Sequence, residues 1–140
     1  MDLDHFKLIN DKYGHQVGDA LLKEFADTVK KCLRLEDEFG RIGGEEFGLL
    51  LPHTSLSDAI TVAERIRKTV EITPLKFKNN EIQITVSIGL SEANTKNLSL
   101  DVPLGTADKA LYRAKKKGRN RVEVSRDYGT DENVALFGKS

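Results

Sequence analysis

Apolar residues recur along the chain at two spacings, three-to-four and two, and the switches between them mark out the elements. Phe6, Ile9 and Tyr13 predict a helix over 6–13, stopped by Gly14. Leu21, Phe25, Val29 and Leu33 form one stripe, widened by Leu22, Ala26 and Cys32, and predict a long helix from Val17 to Leu35. Two short apolar stretches follow, Phe39–Ile42 and Phe47–Leu51; the second reads as a strand covered on both faces, ended by Pro52. Ser55 with Asp58 resembles a capping box and opens a helix to Ile72, with Ala59, Ala63, Ile66 and Val70 inward. Ile82, Ile84, Val86 and Ile88 alternate with Gln83, Thr85 and Ser87, predicting one half-buried strand over Glu81–Ile88 after a turn at Asn79-Asn80. Glu92 to Asp101 reads as a polar loop. A helix opened by Pro103 and closed by Gly118 carries Leu104, Ala107, Leu111 and Ala114 inward. Residues 1–4 read as the end of a strand and Arg121–Ser125 as a last short one. Residues 126–140 lack periodicity and read as a flexible tail behind a domain spanning 1–125. The sum is an α+β domain: a central, mostly antiparallel sheet with packed helices.

Composition narrows the function. With 140 residues the chain is one domain with room for a core. Its 22 basic and 22 acidic side chains cancel, which argues against a general grip on nucleic acid. The single cysteine, Cys32, excludes an internal disulfide and reads as a small core residue. No apolar run is long enough to span a membrane and no signal peptide is visible, so the expected place is the cytoplasm, without membrane contact. Asp2-Leu3-Asp4-His5-Phe6 follows Met1 at once, as though the chain began inside an element of something longer.

The chemistry centres on Gly43-Gly44-Glu45-Glu46-Phe47, a tight turn between two strands. Adjacent carboxylates there call for a nearby cation, unless the turn is merely a solvated hairpin tip. Asp2 and Asp4 are expected to face opposite ways, leaving Asp2 to meet the hairpin. Asp2 and Glu45, with carbonyls and water, would make an oxygen-only site suited to Mg2+; the plainer alternative is a pair of helix-capping aspartates. An EF-hand is excluded, because Phe6 stands where a third ligand would be. Asn10 and Asp19 are of a type that reads guanine, although Asp19 equally suits a first helical turn. Lys115 and Arg119, four apart across a helix end, could converge on a triphosphate or simply answer the helix dipole. Arg34-Leu35-Glu36-Asp37 reads as a helix-end arginine with solvated acids.

Taken together, Asp2-Leu3-Asp4-His5-Phe6-Lys7, Asn10-Asp11, Tyr13-Gly14-His15, Gly18-Asp19, Arg41, the Gly43–Phe47 turn, Ala63-Glu64-Arg65-Ile66-Arg67, Thr85-Val86-Ser87-Ile88-Gly89, Ala107-Asp108, Ala110-Leu111-Tyr112, Ala114-Lys115 and Gly118-Arg119-Asn120 strongly resemble the GGDEF family of diguanylate cyclases. The resemblance implies a fold like the polymerase palm and the nucleotidyl cyclases, with a ferredoxin-like core, and condensation of two GTP into cyclic di-GMP with release of two pyrophosphates. It makes Asp2, Glu45 and the Leu3 carbonyl magnesium ligands, with two Mg2+ per half-site and Mn2+ as a substitute. Glu46 becomes the essential second acid, acting as base or further metal ligand, and Asn10 and Asp19 the guanine readers. Lys115 and Arg119 become the phosphate-holding pair, helped by His5, Phe6 and Lys7. Arg34 and Asp37, with Arg65 as auxiliary, correspond to an inhibitory site for the product. Catalysis implies a homodimer. The helix and Asp-x-Leu-Thr-x-Leu-x-Asn-Arg-like segment that open family domains have no counterpart here, so the domain is expected to be N-terminally truncated. Two alternatives remain: a non-catalytic receptor for cyclic di-GMP or GTP, and a nucleotidyl cyclase of another specificity.

Overall fold

The computed structural model describes residues 1–93, 100–125 and 134–137. Its order is β1 (Asp2–Leu3), α1 (Phe6–Tyr13), α2 (His15–Lys30), β2 (Glu38–Gly43), β3 (Glu46–Leu51), α3 (Leu56–Ile72), β4 (Leu75–Phe77), β5 (Asn80–Ile82), β6 (Val86–Glu92), α4 (Asp101–Lys116), β7 (Val122–Ser125) and β8 (Val134–Phe137). The main sheet is mostly antiparallel. β2 pairs with β3, β1 and β8 each lie between β3 and β6, and β7 runs parallel to β6 on its far side. β4 and β5 form a separate hairpin.

Alternation along the central strands sorts the two faces. Phe47, Leu49 and Leu51 of β3 and Val86, Ile88 and Leu90 of β6 enter a core with Leu21, Phe25 and Val29 of α2 and Ala59, Ala63, Ile66 and Val70 of α3. Ile66 and Val70 are almost wholly buried, each worth about 1.5–3 kcal/mol. The other face carries Gly48, Leu50, Ser87, Gly89 and Ser91 and takes α4, whose Ala107 packs with Leu50 and Leu104. A Cβ on Gly89 would lie 2.2 Å from the Ala107 carbonyl oxygen, so only glycine lets α4 come this close. Ser91 donates to the Pro103 carbonyl at 2.7 Å.

The helix predicted over 6–13 is observed, and Ser55 caps α3 by accepting from the Asp58 amide. Other expectations are corrected. The helix expected to reach Leu35 ends at Lys30, because the chain tightens into i→i+3 bonds, Cys32 N–H to Val29 and Leu33 N–H to Lys30. The strand expected over Glu81–Ile88 is two, β5 and β6, and they belong to different sheets. The turn before it is Lys78–Asn79, with Lys78 at φ 53°. The expected loop over 92–101 falls mostly on 94–99, outside the described residues; β6 runs through Glu92 and α4 starts at Asp101. The stretch read as a tail carries β8, which pairs with both β3 and β6; the rest of 126–140 lies outside the described residues.

Candidate active site

The sheet face that carries α4 also carries the chemistry. Leu3 of β1 points into the core, so its neighbour Asp2 points to α4, where its carboxylate meets the Lys115 ammonium at 2.5 Å. Asp2 is opposite Glu46 on β3 and Ser87 on β6. The hairpin turns through Gly44 and Glu45, with Gly44 at φ 54°, and Arg41 Nε fixes it by donating to the Gly44 carbonyl at 2.7 Å. Leu3 N–H approaches the Glu45 carbonyl at 3.4 Å, which tethers the turn to β1.

Asp2, Leu3, Asp4, His5, Phe6, Lys7, Leu8, Glu45, Lys115 and Arg119 thus border one cleft of about 240 Å³. Asp2 and Asp4 share it, which corrects the expectation that they face opposite ways: residues two apart on an extended backbone project to the same side. Asp4 is 4% exposed and accepts three bonds, from Ser87 Oγ at 2.6 Å, Thr85 Oγ1 at 2.7 Å and the Asn120 amide at 3.0 Å. This carboxylate therefore ties β1 to β6 and to the loop after α4. Arg119 and Asn120 in that loop are both left-handed, at φ 63° and 45°. Asn120 also donates to Glu71 at 2.8 Å and accepts from Arg67 at 3.0 Å. The Asn120 amide, then Arg67, hold the Glu71 carboxyl below its usual range.

Sequence reasoning did not find the roles of Asp4, Thr85, Ser87 and Asn120 as the brace of the cleft. The polar face of the Thr85-Val86-Ser87 alternation was the available signal. The α-amino group of Met1 lies buried beside the cleft and donates to the Phe47 carbonyl at 2.8 Å. Burial pushes it down to about 5, although Asp2, Asp108 and Glu46 pull the other way.

Six expected site residues stand outside the cleft's border, three of them near it on β3, α1 and α2 and three on another corner. Glu46 is half-buried on β3, opposite Asp2. Asn10 sits on α1 against α2, its carboxamide oxygen 1.8 Å from where a Cβ on Gly18 would be, and Asp19 is the exposed next residue. Asn10 Oδ1 is buried and has no hydrogen-bond partner. On another corner, Arg34 reaches Asp37 at 3.4 Å and Thr54 at 2.7 Å, its amide donating to Asp37 at 2.8 Å. Arg65 donates to the Cys32 carbonyl at 2.7 Å, beside that corner. Lys30, Leu33, Arg34, Leu35, Asp37 and Phe39 line a shallow depression there.

The family profile described as "Diguanylate cyclase, GGDEF domain" matches residues 1–121. The chain belongs to the GGDEF family. Diguanylate cyclase A of Treponema denticola is 47% identical over 127 residues, covering 91% of this chain and 34% of that protein, so the chain spans about a third of that relative's length. The GGDEF domain of DgcB from Caulobacter crescentus, solved in complex with c-di-GMP, superposes with a TM-score of 0.83 at 36% identity, over 90% of this chain and 75% of that one. The active GGEEF domain of a Vibrio cholerae diguanylate cyclase gives 0.78 at 35% identity, over 91% and 80%. This GGDEF domain has the same Gly-Gly-Glu-Glu-Phe hairpin, residues 43–47.

Proposed function

We propose that this domain condenses two GTP into cyclic di-GMP. The observation that carries the reading is the single cleft on which Asp2, Glu45, Lys115 and Arg119 converge from β1, the hairpin, α4 and the loop behind it. The donor set is hard oxygen: two carboxylates and the Leu3 carbonyl. Among the described residues no three His, Cys, Asp or Glu side chains gather into a cluster. The oxygen donors of Asp2, Glu45 and Leu3 fit Mg2+, or Mn2+ in its place, which takes one or two carboxylates and fills its shell with water and phosphate oxygens. Lys115 now supplies the positive charge beside Asp2 that a bound cation would share. Two such cations, when bound, would neutralise phosphate charge and align the attacking and leaving oxygens.

The chain's own residues do the rest. Lys115 and Arg119 hold the β- and γ-phosphates, and the backbone at His5 and Phe6, with Lys7, lies along them. Asn10 and Asp19 read the guanine edge. Glu46 takes the proton of the 3′-hydroxyl as that oxygen bonds to the partner's α-phosphorus and the α–β bridge breaks, releasing pyrophosphate. One domain holds one GTP, so two copies must face each other. Arg34 and Asp37, with Arg65 nearby, bind the product and slow the encounter. A cytoplasmic setting follows from the nucleotide substrate; no helix among the described residues is long and apolar enough to cross a membrane.

The test is cyclic di-GMP formation from GTP and Mg2+ by the chain fused to a dimerising coiled coil. Turnover with GTP but not ATP is expected. Micromolar binding of cyclic di-GMP without turnover would replace the enzyme with a receptor.

A further inference from the structure

α4 ends in a tight cap. Gly118, at φ 112°, lets the Arg119 amide reach back to the Ala114 carbonyl at 2.9 Å and the Gly118 amide to the Lys115 carbonyl at 3.4 Å. Such a cap needs one left-handed residue, but three stand in a row: Arg119 and Asn120 follow at φ 63° and 45°. A left-handed arginine is strained, and that strain persists only where neighbouring groups over-determine it. Arg119 borders the cleft, so whatever holds this turn also sets the place of its guanidinium.

Asn120 carries the restraint. Its backbone N–H donates to Asp4, itself on the border of the cleft, at 3.0 Å. Its carboxamide is taken by α3, whose Ala63, Ile66 and Val70 pack on the opposite face of the sheet from α4. The carboxamide oxygen accepts from Arg67 at 3.0 Å, its nitrogen donates to Glu71 at 2.8 Å, and Arg67 donates to Glu71 at 3.1 Å. The three side chains close a hydrogen-bonded ring, which needs at position 120 an acceptor for the arginine and a donor for the glutamate. Glu64 steadies Arg67 from its other edge, accepting from Nε at 2.9 Å. The Arg67 side chain is 13% exposed, so water competes little for these charged bonds. Arg121 Nε adds a longer bond, to the Arg119 carbonyl at 3.2 Å. Neither Arg67 nor Glu71 borders the cleft.

We propose that Arg67 and Glu71 are positioning residues: through Asn120 they hold the turn that presents Arg119 to a bound phosphate. The phosphate part rests on the cyclase reading; the hold on the turn does not, and the two are measured separately.

Hydrogen exchange on the full chain reads the turn without nucleotide. Glu71→Ala and Arg67→Met should each speed exchange of the Arg119 and Asn120 amides by about tenfold or more, and by more than those of β3. Glu71→Gln, which keeps an oxygen for the Asn120 carboxamide, should restore most of the protection. Unchanged exchange at 119 and 120, or an equal rise across β3 and the turn, would overturn the proposal. The phosphate part is read by calorimetry with GTP and Mg2+, and with guanosine, which carries no phosphate. Glu71→Ala should weaken GTP by about fivefold or more and leave guanosine unchanged; in an Arg119→Ala background it should weaken GTP no further. An equal loss for both ligands, or a full second loss in the double variant, would sink the positioning role. GTP affinity that Arg119→Ala itself leaves intact would overturn the phosphate part together with the cyclase assignment of Arg119, while the exchange rates still decide the hold on the turn.

Discussion

The cleft and the Arg34 corner both join carboxylates to cations, yet they are built in opposite ways. In the cleft, the partners of Asp2 and Asp4 stand 113, 81, 83 and 116 residues away. At the other corner, Arg34 binds Asp37 three residues on and Glu36 two residues on, and only its bond to Thr54 reaches as far as 20. Asp2 and Asp4 are nearly fully buried, whereas the Arg34 side chain is 48% exposed. A buried carboxylate must be satisfied by groups the whole fold delivers, and its loss leaves those groups stranded. At the Arg34 corner the guanidinium is half in water, while the Asp37 side chain is 1% exposed and also accepts from the Arg34 backbone amide. Solvent therefore screens the ion pair from the arginine side, and the turn's own backbone satisfies the acid. The first corner is a product of the sheet; the second is a product of one turn.

The sharpest way to test that contrast is turnover. Glu46→Gln keeps the shape of β3 and removes a charge, so it should lower cyclic di-GMP synthesis by about 10²–10⁴-fold while GTP binding stays measurable by calorimetry. Retained synthesis would show that Glu46 is not the essential acid. Stability comes next. Asp4→Ala strands the Thr85 and Ser87 hydroxyls and the Asn120 amide. It should cost about 3 kcal/mol or more in urea unfolding and weaken GTP binding by releasing the Arg119 loop. A loss under about 1 kcal/mol would mean that water replaces the carboxylate and that the brace is dispensable.

The same contrast explains what could be read from the chain. The stripes of α1 and α3 were legible because burial of one helical face writes itself into the sequence at a fixed period. The end of α2 was not, since Cys32 and Leu33 still pack on the core after the helix has become tight turns. The break between β5 and β6 was hidden for a similar reason: Ile82, Ile84 and Val86 are all buried, so the alternation runs straight across a change of partner. In the cleft, Asp2, Glu45, Lys115 and Arg119 could each be picked out from a local cluster. Asp4's brace could not, because none of its partners is near in sequence. β8 was missed because Val-Ala-Leu-Phe makes sense as a strand only beside β3 and β6, with which it pairs.

A smaller effect separates the buried corner by pH. In the 140-residue polypeptide the Met1 amino group falls from 8.0 to about 5 on folding, mainly by desolvation. Between those values the unfolded chain holds a proton that the folded one has released. Stability should therefore rise with pH from 5 to 8, by up to about 1.4 kcal/mol per unit. Urea melts at pH 6, 7 and 8 would show it, and a flat or falling trend would mean that the amine is solvated rather than buried.

The smallest expected effect on stability belongs to Arg34→Ala. Its side chain is half in water, and the buried Asp37 carboxylate keeps the backbone amide of residue 34 in the variant, so unfolding free energy should change by about 1 kcal/mol or less. The initial rate from GTP should also be unchanged, because Arg34 does not border the cleft. What should change is inhibition by accumulated cyclic di-GMP, which should weaken by at least about tenfold if a charged hydrogen bond to the product is lost. Progress curves at rising product concentration read this directly. Unchanged inhibition would reduce Arg34-x-x-Asp37 to a turn that pairs its own charges. A loss of stability above about 2 kcal/mol would instead show that the Thr54 bond makes this corner, like the cleft, a joint of the whole fold.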